Sequence, residues 1–246
     1  MASARRSSRK PGIKAKPPVP AESLEALGRY AIRYVKPGQT IGLGTGHAAT
    51  AFIRALAEVM LGVRGVPTSN ASAELATALG IPLVELSEVD RLDLDFDGAD
   101  EVDPKLNMIK GWGGAMVREK VVAAASRRRI FLVGEEKLVR RLGKRGRLPI
   151  EIVPFALPYA TQEIARRGLK PRPRATDSGQ LFVTDNGNYI VDCAVKEIAN
   201  PRRLERDLLA IPGVVGTGLF LGIADLVLVA ARDGSVKTLR RRPAKA

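Results

Sequence analysis

Apolar residues recur at helical spacing in the first patterned segment of this chain. In residues 21–35, AESLEALGRYAIRYV, the positions Leu24, Leu27, Tyr30, Ala31 and Val35 fall close to one face, which predicts an amphipathic helix. Pro37-Gly38 stops it. Short apolar runs then alternate with helix-patterned stretches. Residues 40–44, 65–70, 81–86 and 129–134 read as strands with their ends, and residues 47–60, 71–80 and 121–128 as helices. This βα alternation predicts an α/β fold, a Rossmann-like parallel sheet covered by helices.

The rhythm changes after Lys144-Arg145-Gly146-Arg147. Residues 151–156 pattern as a strand, 157–168 as a helix and 170–176 as a strand. Residues 181–184 and 189–193 flank Asp185-Asn186-Gly187-Asn188 as the arms of a hairpin. Asn200 caps and Pro201 opens a helix over 200–211, and 214–220 follows as a strand. The order β-α-β-β-α-β is that of a split βαβ, ferredoxin-like α+β domain. LVLVAA at 226–231 is apolar throughout, as suits a buried strand returning to the first sheet. The expected organisation is a basic tail over 1–20 and a Rossmann-like catalytic domain over 21–146 and 221–239. An α+β domain over 147–220 is inserted before the last strand, and a basic tail covers 240–246.

Composition narrows the class. With 246 residues and 45% hydrophobic content the chain can fill a sizeable core. No run approaches the roughly 18 consecutive apolar residues of a membrane span, and the amino terminus lacks a secretory apolar core, so the cytoplasm is the expected compartment. The formal charge of +14 points toward nucleic acid until its location is considered. Six cations lie in residues 1–20 without an acid and five in 237–246, leaving a net charge near +3 for the body. A body this mild suits an enzyme of anionic substrates better than a nucleic-acid reader. One cysteine, Cys193, and one histidine, His47, argue against a zinc site.

Candidate chemistry gathers at the ends of the expected strands, where open α/β sheets place ligands. Gly42-Leu43-Gly44-Thr45-Gly46 joins a strand to a helix; it reads either as a phosphate cradle or as close strand–helix packing. His47 follows, as an anion contact at a helix start or as an exposed residue. Asp97-Gly98-Ala99-Asp100-Glu101 places three acids after Leu94 and Phe96, able to bind sugar hydroxyls and move a proton, or to form a solvated turn. Asp103 and Glu101 are expected to face solvent or cap that turn. Lys110-Gly111-Trp112-Gly113-Gly114 combines a cation with glycines that admit an oxyanion, with Trp112 either covering a sugar or packing between domains. Glu119 stands among Met116, Val117, Val121 and Val122 on the next expected helix. It is a base raised by apolar neighbours, or half of a surface ion pair with Arg118 or Lys120. Lys137 follows the strand over 129–134 as a phosphate contact or a solvated lysine, and Ser69 and Asn70 look like helix caps.

Taken together, GLGTG, PTSN, DGADEVD and KGWGGAMVREK, followed by a lysine after the next strand, resemble the ribose-5-phosphate isomerase type A family, over about residues 22 to 239. The resemblance implies aldose–ketose interconversion of ribose 5-phosphate and ribulose 5-phosphate through an enediolate, in the non-oxidative pentose phosphate pathway, without metal or organic cofactor. It also implies Glu119 as the base, Asp97 and Asp100 as the acidic pair for sugar hydroxyls and ring opening, and Lys110 with Gly111, Trp112 and Gly113 as the oxyanion loop. Thr45, Gly46, His47, Ala48, Gly98, Ala99 and Lys137 become substrate contacts. A small-molecule sugar phosphate is the expected partner, and a homodimer or homotetramer the expected assembly. Three positions depart from the family pattern. His47-Ala48 replaces Ser-Thr, Leu24-Glu25 stands where a phosphate-reaching lysine is frequent, and Trp112 replaces a glycine. The competing expectations are an isomerase of another aldose phosphate and a non-catalytic sugar-phosphate sensor, which has no evident need for Glu119.

Overall fold

The computed structural model describes residues 17–241, so the basic stretches over 1–16 and 242–246 lie outside the described residues. The first half of the chain runs through α1 (Ala21–Ala31), β1 (Thr40–Leu43), α2 (His47–Glu58), β2 (Arg64–Pro67), α3 (Asn70–Ala78) and β3 (Leu92–Gly98). It continues through the short β4 (Glu101–Val102) and β5 (Met108–Ile109) to α4 (Met116–Ala125) and β6 (Ser126–Gly134). The second half contains β7 (Arg147–Ile152), α5 (Leu157–Arg166), β8 (Lys170–Pro173), β9 (Tyr189–Ala194), α6 (Pro201–Leu209) and β10 (Val214–Thr217). It closes with β11 (Leu219–Phe220), β12 (Leu226–Ala230) and β13 (Val236–Arg240).

These strands form a six-stranded sheet in the order β13-β12-β6-β3-β1-β2, parallel except for β13. Its apolar runs are buried on both faces. Ile130 and Leu132 of β6 join the core beneath α1 and α2, while Phe131 and Val133 face a second core with Met108, Met116 and Phe220. Because β2 lies on one side of β1 and β3 on the other, the chain reverses direction across the sheet at β1. The crevice at the carboxyl ends of β1 and β3 is the position where such sheets bind ligands. Stacking of Phe96 in β3 on Phe52 in α2, with ring centroids 4.0 Å apart, sets the height of that strand end just before Asp97.

The second antiparallel sheet has the order β10-β7-β9-β8, with α5 and α6 in the connections, as the ferredoxin-like pattern requires. Asn200 caps α6 by accepting from the Arg203 N–H at 3.0 Å. A three-stranded sheet, β11-β5-β4, joins residues 219–220 to the loops that follow β3.

Several expectations need correction. Residues 81–86 form no strand beyond a single bridge from Leu83 to Gly65, since the segment skirts the edge of the sheet. Residues 181–184 pair with their neighbours through isolated bridges at Leu181 and Val183, whose side chains are exposed, while Phe182 and Thr184 turn inward, so no continuous strand forms. The expected strand over 214–220 breaks at Gly218, whose N–H donates to the Pro149 carbonyl, and its two halves enter different sheets. The insertion precedes two final strands, because β13 adds antiparallel to β12 and takes in Arg240 of the expected tail. At the other end Val19 is buried, and the Pro17 and Pro18 carbonyls accept from Arg232, so residues 17–20 belong to the body. Glu101 is fully buried rather than solvent-facing; it accepts from the Gly143 and Arg145 N–H groups at 2.6 and 2.5 Å.

Candidate active site

The turn after β1 is built around one close approach. The Gly44 N–H donates to the Phe96 carbonyl at 2.9 Å, and a Cβ at Gly44 would collide with the side chain of Asp97. Gly46, at φ +102, precedes α2 and leads into its first turn, where the leading N–H groups are free to meet an anion. Thr45 is held from inside: its N–H donates to Asp97 Oδ1 at 3.1 Å, and its hydroxyl lies 2.8 Å from both Thr68 Oγ1 and Ser69 Oγ. Ser69 in turn caps α3 by accepting from the Ser72 N–H.

Lys110 sits at the centre, with its side chain only 2% exposed. Its Nζ lies 2.9 Å from Asp97 Oδ2 and 3.3 Å from Glu119 Oε2, and donates to the Gly98 carbonyl at 2.5 Å. The Gly98 contact is a hydrogen bond, whereas Asp97 Oδ2 and Glu119 Oε2 face the ammonium as ion-pair partners without one. Burial by itself disfavours the ammonium, but the charges of Asp97 and Glu119 outweigh it and hold Lys110 above its ordinary pKa. Glu119, 4% exposed on α4, responds in the opposite sense. Burial, reinforced by the charges of Asp97 and Asp100 and opposed by Lys110, pushes its carboxyl up to about 8. It does not pair with its chain neighbours. Lys120 reaches Glu205, and Arg118 donates to Asn186 and the Asp185 carbonyl.

Asp100 accepts from the Trp112 N–H at 3.0 Å; burial raises its carboxyl despite that bond and the nearby cations. Lys137 ends the short helical turn after β6. Burial and the charge of Arg145 lower its ammonium. Trp112 stands between the pocket and the second sheet. It lines the pocket, and it packs against the second sheet, with its Nε1–H donating to the Arg147 carbonyl at 3.4 Å and with Lys137, Arg145 and Arg147 around its ring.

The pocket enclosed by these groups has a volume of about 470 Å³, a size suited to a small metabolite. Thr45, Gly46, His47, Ala48, Gly98, Ala99, Asp100, Lys110, Gly111, Trp112, Gly113, Glu119 and Lys137 all line it. Asp97 does not. Its Oδ1 accepts from Thr45 and Gly98 and its Oδ2 faces Lys110, so it stands behind the pocket and orients both the turn and the lysine. At the outer end the wall is formed by Pro18, Val19, Leu24 and Ala48, and Glu25 turns away toward Arg29. A larger open groove of about 1140 Å³ lies elsewhere, beside Lys105, Arg202 and Arg241, but none of its lining residues is a buried acid or base.

Sequence reasoning missed two participants. Ser69 was legible as a cap but not as the support for Thr45, because the bond spans two strand ends. Arg174 reaches the glycine loop from the second sheet, donating to the Gly111 and Trp112 carbonyls at 3.1 Å each. A basic residue in a run as rich in them as KPRPR gives no local signal of such a contact.

Comparisons with known proteins identify the family. The family profile of ribose 5-phosphate isomerase A (phosphoriboisomerase A) matches residues 64–234. Ribose-5-phosphate isomerase A of Roseiflexus sp. (strain RS-1) is 48% identical over 218 residues, covering 87% of this chain and 94% of the relative. The Parvibaculum lavamentivorans protein of the same name is 45% identical over 223 residues, covering 87% and 96%. Among solved structures, ribose 5-phosphate isomerase A from Methanocaldococcus jannaschii superposes with a TM-score of 0.84 at 39% identity, covering 90% of this chain and all of that one. A D-ribose-5-phosphate isomerase in complex with phospho-erythronic acid superposes at 0.86 with 38% identity, covering 89% and 98%. With relatives nearly half identical across both sheets, this chain belongs to the ribose-5-phosphate isomerase A family.

Proposed function

We propose that this chain interconverts ribose 5-phosphate and ribulose 5-phosphate through an enediolate, with Glu119 as the base that carries the proton. The observation that supports this most is the placement of Glu119: a carboxyl buried at the pocket floor, raised to about 8, and 3.3 Å from a buried ammonium. In the aldose-to-ketose direction Glu119 takes the C2 proton of the open-chain sugar, and the C–H electron pair forms the C1–C2 double bond. Negative charge collects on O1. Return of the proton to C1, with transfer of the O2 proton to O1, gives the ketose. Lys110, itself buried, stabilises the charge electrostatically. Asp100, raised and at the pocket wall, exchanges the hydroxyl protons during ring opening. Gly46, His47, Ala48 and Lys137 face the phosphate, while Asp97 and Thr45 hold the frame.

The reaction belongs to the non-oxidative pentose phosphate pathway, and the cytoplasm is its proposed compartment. No helix among the described residues is long and apolar enough to cross a membrane. A homodimer or homotetramer is the proposed assembly, supported by Phe155, 99% exposed, next to the half-exposed Tyr159 at the start of α5. The apolar outer wall at Leu24 and Ala48 supports a second reading, preference for another aldose phosphate. Assaying pentose and hexose phosphates with excess chelator tests both. Ribose 5-phosphate is expected to be converted fastest and to be unaffected by the chelator. Faster turnover of another aldose phosphate would move the assignment to the second reading, and no conversion of any would refute both.

A further inference from the structure

We infer that Arg174 is the positioning residue of the oxyanion loop, and that it turns the Gly113 N–H into the pocket as the loop's direct donor to the charged oxygen of the enediolate. The inference rests on the isomerase reading. It begins from Lys110, whose ammonium is held against Asp97, Glu119 and the Gly98 carbonyl, so that a backbone N–H aimed at the substrate oxygen adds a directed donor beside its charge.

Arg174 is suited to set that backbone. Its side chain is 8% exposed, and its Nε and Nη2 groups form a two-pronged pair with Asp192 at 2.9 and 2.7 Å. Arg147 donates to the same carboxylate at 2.8 Å, fixing Asp192 from the other side. The remaining reach of the guanidinium is spent on two consecutive carbonyls, Gly111 through Nη2 and Trp112 through Nη1. A trans peptide points its C=O and the following N–H in opposite directions. Fixing the Gly111 carbonyl therefore aims the Trp112 N–H the other way, where it meets Asp100 at 3.0 Å. Fixing the Trp112 carbonyl does the same for the Gly113 N–H, which has no protein acceptor among the described residues, on a residue that lines the pocket. The loop cannot hold this shape through ordinary residues: Gly111 and Gly114 stand at φ +96 and +93, and the Phe182 ring fills the space beside Gly114. One guanidinium from the second sheet thus orients two peptide planes of the catalytic loop.

The test compares wild type, Arg174→Lys and Arg174→Ala for turnover of ribose 5-phosphate and for binding of phospho-erythronate, whose carboxylate imitates the two oxygens of the enediolate. For Arg174→Ala the expected result is a loss in kcat of about a hundredfold with a much smaller change in KM, as for removal of one oxyanion donor. Phospho-erythronate binding should weaken by a factor like that in kcat/KM. Added guanidinium ion should restore part of kcat, and Arg174→Lys should fall between, since an ammonium cannot bridge two carbonyls and a carboxylate in one plane. Emission from Trp112, the sole tryptophan, should shift in the variants and return with guanidinium. The inference is overturned if both variants keep kcat within about twofold of wild type. It is equally overturned if lost activity follows lost folded protein and guanidinium restores nothing. Inactivity of wild type would instead remove the isomerase reading and the oxyanion role together, while the Trp112 emission would still report whether Arg174 positions the loop.

Discussion

The floor and the outer wall of the pocket are built on opposite principles. At the floor, Lys110 and Glu119, with Asp97 behind them, are withdrawn from water, the Lys110 ammonium lying within 3.3 Å of both carboxylates. At the outer wall, Leu24, Ala48, Val19 and Pro18 surround one imidazole, His47, and one ammonium, Lys137, whose charge is itself disfavoured by burial. Strong fields in a dry site stabilise a short-lived anion, whereas phosphate affinity comes from the number of cations and N–H groups supplied. On the proposed reading, turnover depends on the floor and KM on the wall.

Changes at the floor should therefore strike turnover and folding, and changes at the wall only KM. Lys110→Met, the largest expected effect, leaves Asp97 and Glu119 without a buried counter-charge. It should cost about 3–5 kcal/mol in denaturant unfolding and lower kcat by at least about a hundredfold. A stable, active variant would show that the floor is not held together by charge. The pH profile comes next. Glu119 has to be ionised to take a proton, so kcat/KM should rise about tenfold per unit of pH toward a plateau near and above 8, the raised value of its carboxyl. The stability contribution runs the other way. A folded pKa above the unfolded one favours the protonated fold, so this group's contribution is full below the ordinary carboxylate range and is lost as pH rises through about 8. A kcat/KM profile flat from pH 6 to 9 would contradict the raised base.

At the wall the effects shrink. His47→Ala should raise KM a few-fold, about 1 kcal/mol of lost anion contact, with kcat unchanged; steady-state kinetics showing an unaltered KM would make His47 a bystander. Leu24→Lys should lower KM by a similar or smaller factor by supplying a cation at the apolar end. If KM does not fall, the phosphate lies elsewhere in the pocket.

Elements and site were legible to different depths. The βα alternation, the Asn200 cap and the buried strand over 226–230 could be read because each is carried by local periodicity or turn chemistry. The segments over 81–86 and 181–184 failed because each pairs with its neighbour only at isolated positions, and an apolar run does not encode how far a pairing continues. In the site, DGADE and KGWGGAMVREK pointed to the acids, the lysine and the base through a family pattern. Asp97's place behind the pocket, Glu101's burial and the Arg174 clamp depend on contacts between segments distant in sequence, and no local pattern encodes them.

The most direct test of the proton-transfer assignment is the kcat of Glu119→Gln with ribose 5-phosphate, measured beside its affinity for phospho-erythronate. Loss of a general base predicts kcat lower by about 10³-fold or more with binding largely retained. Turnover near that of wild type would contradict Glu119 as the base.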